Sequence, residues 1–152
     1  MSDALKISDA ASLALHTTVL LADSRDRPMS VKEIASIFHV SEAHLSKVLQ
    51  RLGRAGLVAS ARGPKGGFVL GNGRGATTLL DVYEAIEGPM VPRNCLLAVA
   101  VCGGKRCILG GLLRGVNRDV RRYLGRTRLS DVAPAYRKLH RSQSRDEKDR
   151  SD

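Results

Sequence analysis

Apolar positions recur with a helical period through the N-terminal part of the chain. In "SDAASLALHTTVLLAD" (8–23), Leu13, Val19, Leu20 and the alanines share one face, with Ser8 or Asp9 placed to cap it. This predicts a helix that covers the core. After the turn "SRDRPMS", the segment "SVKEIASIFHV" opens as a capping box, Ser30 followed three residues on by Glu33, and carries the stripe Ile34, Ala35 and Ile37. A second capped helix follows the turn "HV": "SEAHLSKVLQRLGRAG" places Leu45, Val48, Leu49 and Leu52 on one face and Gly56 at its stop. Two short helices in tight succession, the second turning basic residues outward, predict a helix-turn-helix.

The period then shortens. "LVASARGPKGGFVLG" (57–71) is two short apolar runs around a glycine-rich turn, a hairpin whose tip is charged by Arg62 and Lys65. Helix-turn-helix plus basic hairpin predicts a winged helix. A linker "NGRGA" leads to the helix "TTLLDVYEAIEGP" (77–89), apolar at Leu80, Val82, Tyr83 and Ile86 and ended by Gly88-Pro89. Further on, "CILGGLLRGVNRDVRRYLGRT" spaces Ile108, Leu112, Leu113, Val116, Val120 and Leu124 along a long helix. With no internal core evidently left to cover, that stripe predicts burial against a partner helix; packing back onto its own domain is the alternative. "LSDVAPAYRKLH" is a short capped segment, and "RSQSRDEKDRSD" has the composition of a disordered tail. The predicted fold is mostly α: a winged helix-turn-helix DNA-binding domain (1–76), cysteine loop and dimerisation helices (77–128), then a capped segment and tail (129–152).

Composition narrows what such a fold would bind. Lys and Arg number 25 against 15 Asp and Glu, a net charge of +10 that suits a polyanion, either nucleic acid or an acidic membrane surface. No uninterrupted apolar run is long enough to span a membrane, and the N-terminus lacks the order of a secretory signal, so a cytoplasmic protein is expected. Aromatic residues make up 3% of the chain, so the core is aliphatic. Neither a nucleophile–base pair nor a phosphate loop stands out, and "GNGRG" lacks the lysine a phosphate loop needs, so the chain is not expected to be an enzyme. Double-stranded DNA is the partner that the helix-turn-helix and wing select.

With the leucine face of the second capped helix inward, a step of about 100° per residue turns Ala43, Ser46, Lys47, Gln50 and Arg51 outward. His44 lies in the same first turns. Small and polar groups there suit base edges, while Lys47 and Arg51 suit phosphate or guanine. Helix N-terminal amides at Ser41 favour a phosphate. Arg62 at the wing suits a narrow, negative minor groove, and Lys65 beside it is a further candidate DNA contact.

All three cysteines, Cys95, Cys102 and Cys107, fall within "NCLLAVAVCGGKRC". In a reducing compartment they favour metal binding or redox sensing over structural bridges. Structural zinc usually shows Cys-x2-Cys pairs with histidine nearby, which are missing here. Thiolates on a glycine-rich loop suit an iron–sulfur cluster, with Lys105 and Arg106 offsetting its charge. The spacing alone leaves three readings open: a cluster, zinc, or a thiol redox switch.

The run "SVKEIASIFHVSEAHLSKVLQRLGRAGLVASARGPKGGFVLG", followed by "LLDVYEAIEGP", the three cysteines and "LSDV", resembles the Rrf-two family of winged-helix regulators over residues 5–133. Its most specific parts are the wing "RGPKGGF" and the three-cysteine loop after "EAIEGP". The resemblance implies a homodimeric transcription factor on a palindromic operator, with a [2Fe–2S] or [4Fe–4S] cluster that tunes DNA affinity. Cys95, Cys102 and Cys107 match the cluster cysteines, at a spacing slightly less even than that of cluster-binding members. Gly110 stands where the IscR type has a histidine ligand, and Ser12 where the NsrR type has an aspartate. The candidates for a fourth ligand are therefore Asp9, Ser12 and His16.

Overall fold

The computed structural model describes residues 7–24, 26–71, 73, 75–91, 95–97, 99–103 and 107–137. The predicted tail beyond 137, along with Lys105 and Arg106, lies outside the described residues. Elements follow in the order α1 (Asp9–Asp23), α2 (Val31–Phe38), α3 (Glu42–Arg54), β1 (Val58–Ala61), β2 (Gly67–Leu70), α4 (Leu79–Glu87), α5 (Leu112–Arg126) and α6 (Leu129–Val132). A 3-10 turn, Ala133–Tyr136, closes the described chain.

Helix starts are set by short polar side chains at the ends of apolar runs. The Ser8, Ser30 and Ser41 hydroxyls accept the backbone N–H of Ala11, Glu33 and His44 at 3.1, 3.1 and 3.2 Å. The predicted box at Ser30 is only half closed, because the Glu33 carboxylate turns to Arg27 at 2.7 Å. A full box forms instead at α4. There Thr78 accepts from the Asp81 N–H, and Asp81 accepts from the Thr78 N–H at 2.8 Å. Helix α3 stops at Gly56, whose φ of 73° lets Leu57 N–H return to the Leu52 carbonyl.

Helix α1 does more than cover the core. Ala11, Leu13, Ala14, Thr17, Thr18, Val19, Leu20 and Leu21 are all buried, so it is enclosed on most sides. It packs against α3, α4, α6, β2 and the closing turn. Met29, Ile34, Leu45, Leu49, Leu52, Val82 and Leu129 complete one continuous aliphatic core.

The wing is an antiparallel hairpin with Val58 opposite Leu70 and Ala61 opposite Gly67. Met29 adds a bridge to Phe68, with N–H···O distances of 3.0 and 2.8 Å, which ties the wing to the segment entering α2. The backbones approach so closely that a Cβ at Gly67 would overlap the Met29 carbonyl.

The long-helix stripe does not act as one surface. Leu124 joins the core and Val120 packs against it, while Leu113 is buried nearer the cysteine loop. Ile108, Leu112 and Val116 stay exposed. Two of the six positions of the predicted partner-facing stripe thus cover the chain's own core, because α4 lies alongside α5. Among the described residues no helix is long and apolar enough to cross a membrane.

Gly67→Ala is expected to cost about 1–3 kcal/mol of unfolding free energy by overpacking. Gly111→Ala, at a position with open space around it, should change stability little. Urea unfolding of both variants checks this, and equal midpoints would contradict the close approach at the wing.

Candidate nucleic-acid interface and cysteine hollow

Helix α3 buries Leu45, Val48, Leu49 and Leu52, and this fixes what its other face presents. Ala43, His44, Lys47, Gln50 and Arg51 are exposed and Ser46 is half-buried, close to the predicted face. Ser41 is exposed, its hydroxyl engaged in capping. Arg62 and Lys65 are exposed in the turn between the wing strands, closed by a 2.9 Å hydrogen bond from Gly66 N–H to the Gly63 carbonyl. Helix face and wing turn therefore carry the charges and hydrogen-bonding groups that a groove and its phosphates require. Arg51 differs from the rest. Its guanidinium donates to the backbone carbonyl of Ile86 at the end of α4.

Beside the N-terminus of α3 lies a shallow depression of about 440 Å³ that includes Asp9, Ser12, His16, Ser41 and His44 in its lining. The three fourth-ligand candidates thus share a wall of α1 facing the start of α3. His16 Nδ1 is hydrogen-bonded to the Tyr136 hydroxyl. Its ring lies 5.9 Å from Phe38 and 6.0 Å from Tyr136, centroid to centroid, so it also joins α1 to α2 and the closing turn. Burial pushes the Tyr136 hydroxyl above its ordinary range, which keeps it protonated.

The cysteines come together elsewhere. Cys95, Cys102 and Cys107, all free thiols, line one hollow of about 190 Å³ walled by Leu96, Leu97, Val101, Ile108, Leu109 and Leu113. Its walls are apolar while its thiols are reachable: Cys102 is exposed and the other two are half-buried. Among the described residues no three His, Cys, Asp or Glu side chains converge as a metal-ligand group. The donor set still fits a thiolate-held cluster in kind, since all three residues lining the hollow as donors are soft thiols.

Two features escape a reading of periodicity. The first is a set of arginines, Arg114, Arg118, Arg121, Arg122 and Arg126, which line a depression of about 610 Å³ beside Leu80. The four-residue spacing of Arg114, Arg118, Arg122 and Arg126 along α5 is visible in the sequence, but the groove against α4 is not. The second is the polar junction at the end of α4. Glu84 Oε1 accepts from Met90 N–H at 2.9 Å and from Arg121 Nη1 at 3.3 Å, and the same Arg121 nitrogen donates to the Met90 carbonyl at 2.9 Å. No local sequence signal marks those contacts.

Comparison with known proteins agrees with this architecture. The protein is 28% identical over 109 residues to the HTH-type transcriptional regulator IscR of Xenorhabdus nematophila, covering 72% of this chain and 66% of that protein. The match thus falls just short of two thirds of that relative's length. Among solved structures it is similar to CymR, the global cysteine regulator of B. subtilis, with a TM-score of 0.71 and 32% identity over 86% of this chain and 98% of that one. It shares its fold with the IscR of T. potens at a TM-score of 0.68 and 24% identity, over 89% of this chain and 90% of that one. The family pattern for iron-dependent transcriptional regulators matches residues 7–135. Because that match takes in the helix-turn-helix, the wing, the cysteine hollow and α5 together, the chain belongs to the Rrf2 family.

Proposed function

We propose that the chain is a homodimeric transcriptional regulator whose operator affinity is set by an iron–sulfur cluster on Cys95, Cys102 and Cys107. The observation that carries this reading is that all three thiols line one apolar hollow, in a chain that also carries a basic helix-turn-helix and wing. When bound, the cluster would supply an iron- and oxidant-sensitive tie across the loop. Asp9, Ser12 and His16, which line a depression apart from the hollow within one chain, are the candidates for its fourth ligand. The likeness to CymR, a cysteine regulator, and the exposure of Cys102 favour a second reading, in which the thiols respond to oxidation without iron.

DNA reading is assigned to Ser41, Ala43, His44, Ser46, Lys47 and Gln50 of α3 and its cap, with Arg62 and Lys65 at the wing. One winged helix reads few base pairs; a two-fold dimer on a palindromic site doubles them. The surface for that dimer is the apolar strip left bare by the single chain: Val101 is 83% exposed, Ile108 95%, Leu112 59%, Val116 37% and Tyr123 61%. In a two-fold pairing each copy would cover the other's strip.

Each part has its own test. Arg62→Ala should weaken binding to a DNA site selected from a random pool by about 1–3 kcal/mol, and Lys47→Ala should reduce the salt slope by about one. Parental binding by both variants would mean that the reading face lies elsewhere. Val116→Asp should give monomers in light scattering and lose most DNA binding, whereas a monomeric parent at micromolar concentration would remove the dimer. Anaerobic reconstitution should load iron and sulfide and give a brown protein. Alanine at any of the three cysteines should abolish that loading. Zinc uptake without sulfide would refute the cluster while leaving DNA binding intact.

A further inference from the structure

The end of α4 is joined to three other helices within seven residues, Glu84 to Met90, and Cys95 follows five positions later in the sequence. From α1, Ser8 donates both its backbone N–H (3.2 Å) and its hydroxyl to Glu87 Oε1. From α5, Arg121 holds Glu84 and the Met90 carbonyl. From α3, Arg51 donates to the Ile86 carbonyl.

The last of these has a clear physical reason. Carbonyls in the last turn of a helix have no amide partner within it, and the helix dipole places partial negative charge there. The last turn of α4 contains no basic residue of its own. Arg51 supplies from another helix both the missing donor and the missing positive charge. At the opposite pole, the Glu87 carboxylate sits at the N-terminus of α1, where negative charge is favoured. The α4 end is therefore fixed by complementary charge as well as by the burial of Val82, Tyr83 and Ile86.

We infer that Arg51 is a positioning residue that links the DNA-reading helix to the α4 end from which the cysteine loop departs, rather than a contact to DNA. This rests on the reading that the cysteine loop regulates DNA binding, and it names the route. A change in the loop pulls on residues 84–90, and Arg51 passes that displacement to the last turn of α3, one turn from Lys47. A guanidinium suits this task because its planar fork loses little freedom per hydrogen bond formed.

The test uses the full chain, reduced and free of iron, so it does not depend on whether a cluster forms. The thiols are alkylated with iodoacetamide and amide hydrogen exchange is followed by mass spectrometry. In the parent, alkylation should change exchange both in 84–90 and in α3. In Arg51→Met, which keeps the stem and loses the donor, residues 84–90 should still respond while the α3 response disappears. Basal exchange at 84–90 in that variant should also rise about fivefold, the equivalent of one net hydrogen bond. Arg51→Gln, too short to reach Ile86, should behave alike. Salt dependence of DNA binding separates the two roles: the slope of Arg51→Met should equal the parent's. An α3 response that persists in Arg51→Met overturns the link, as does a parent in which α3 never responds. A salt slope reduced by about one would return Arg51 to the phosphate contacts.

Discussion

The enclosure of α1 is the constraint on which the rest of the structure depends. A helix buried on most sides, with Thr17 and Thr18 fully inside, has to be covered by elements from distant parts of the chain. Here α3 and β2 cover it from the winged helix, while α4, α6 and the closing turn cover it from the C-terminal half. Thr18 meets this cost locally by donating to the Ala14 carbonyl at 2.9 Å. Because one helix is shared by both halves, the wing cannot move freely against the segment that leads to the cysteines. The core runs without interruption from Leu13 to Leu129.

That arrangement explains where the sequence was informative. Helix period, serine caps and the glycine-rich hairpin are local signals, and they located α1 to α4 and the wing close to where they lie. Glu33 shows the limit of local reading: its spacing from Ser30 fits a capping box, yet Arg27 captures the carboxylate. The box at Thr78 and Asp81 was equally available in "TTLLD" but uses aspartate in place of the longer acids. On α5 the exposed and buried apolar arcs adjoin, so periodicity merges them into one stripe. Only the position of α4 divides them. Arg51 was correctly placed on the outer face of α3, but its partner is a backbone carbonyl of another helix, which no side-chain pattern records.

The site was legible to the same degree. Three cysteines on a short loop announce shared chemistry, and the structure brings them to one hollow. Asp9, Ser12 and His16 follow from α1 alone as neighbours on one wall, facing the start of α3. The charge excess is more divided than composition suggests. Lys47, Arg62 and Lys65 stand exposed on the surface proposed to read DNA, while five arginines line a groove of α5. Net charge therefore explains attraction to a polyanion, whereas specificity has to come from the few groups on α3 and the wing.

The central claim is that the state of the cysteine hollow changes DNA affinity, and fluorescence anisotropy under anaerobic conditions addresses it most directly. One preparation of the parent is titrated onto its selected DNA site after iron–sulfide reconstitution, and again after the iron has been removed under reducing conditions. A coupling between hollow and reading helix of ordinary size predicts affinities that differ by about 5- to 150-fold, in either direction. Equal affinities in the two states, with the loaded state verified by iron and sulfide analysis, would contradict the account.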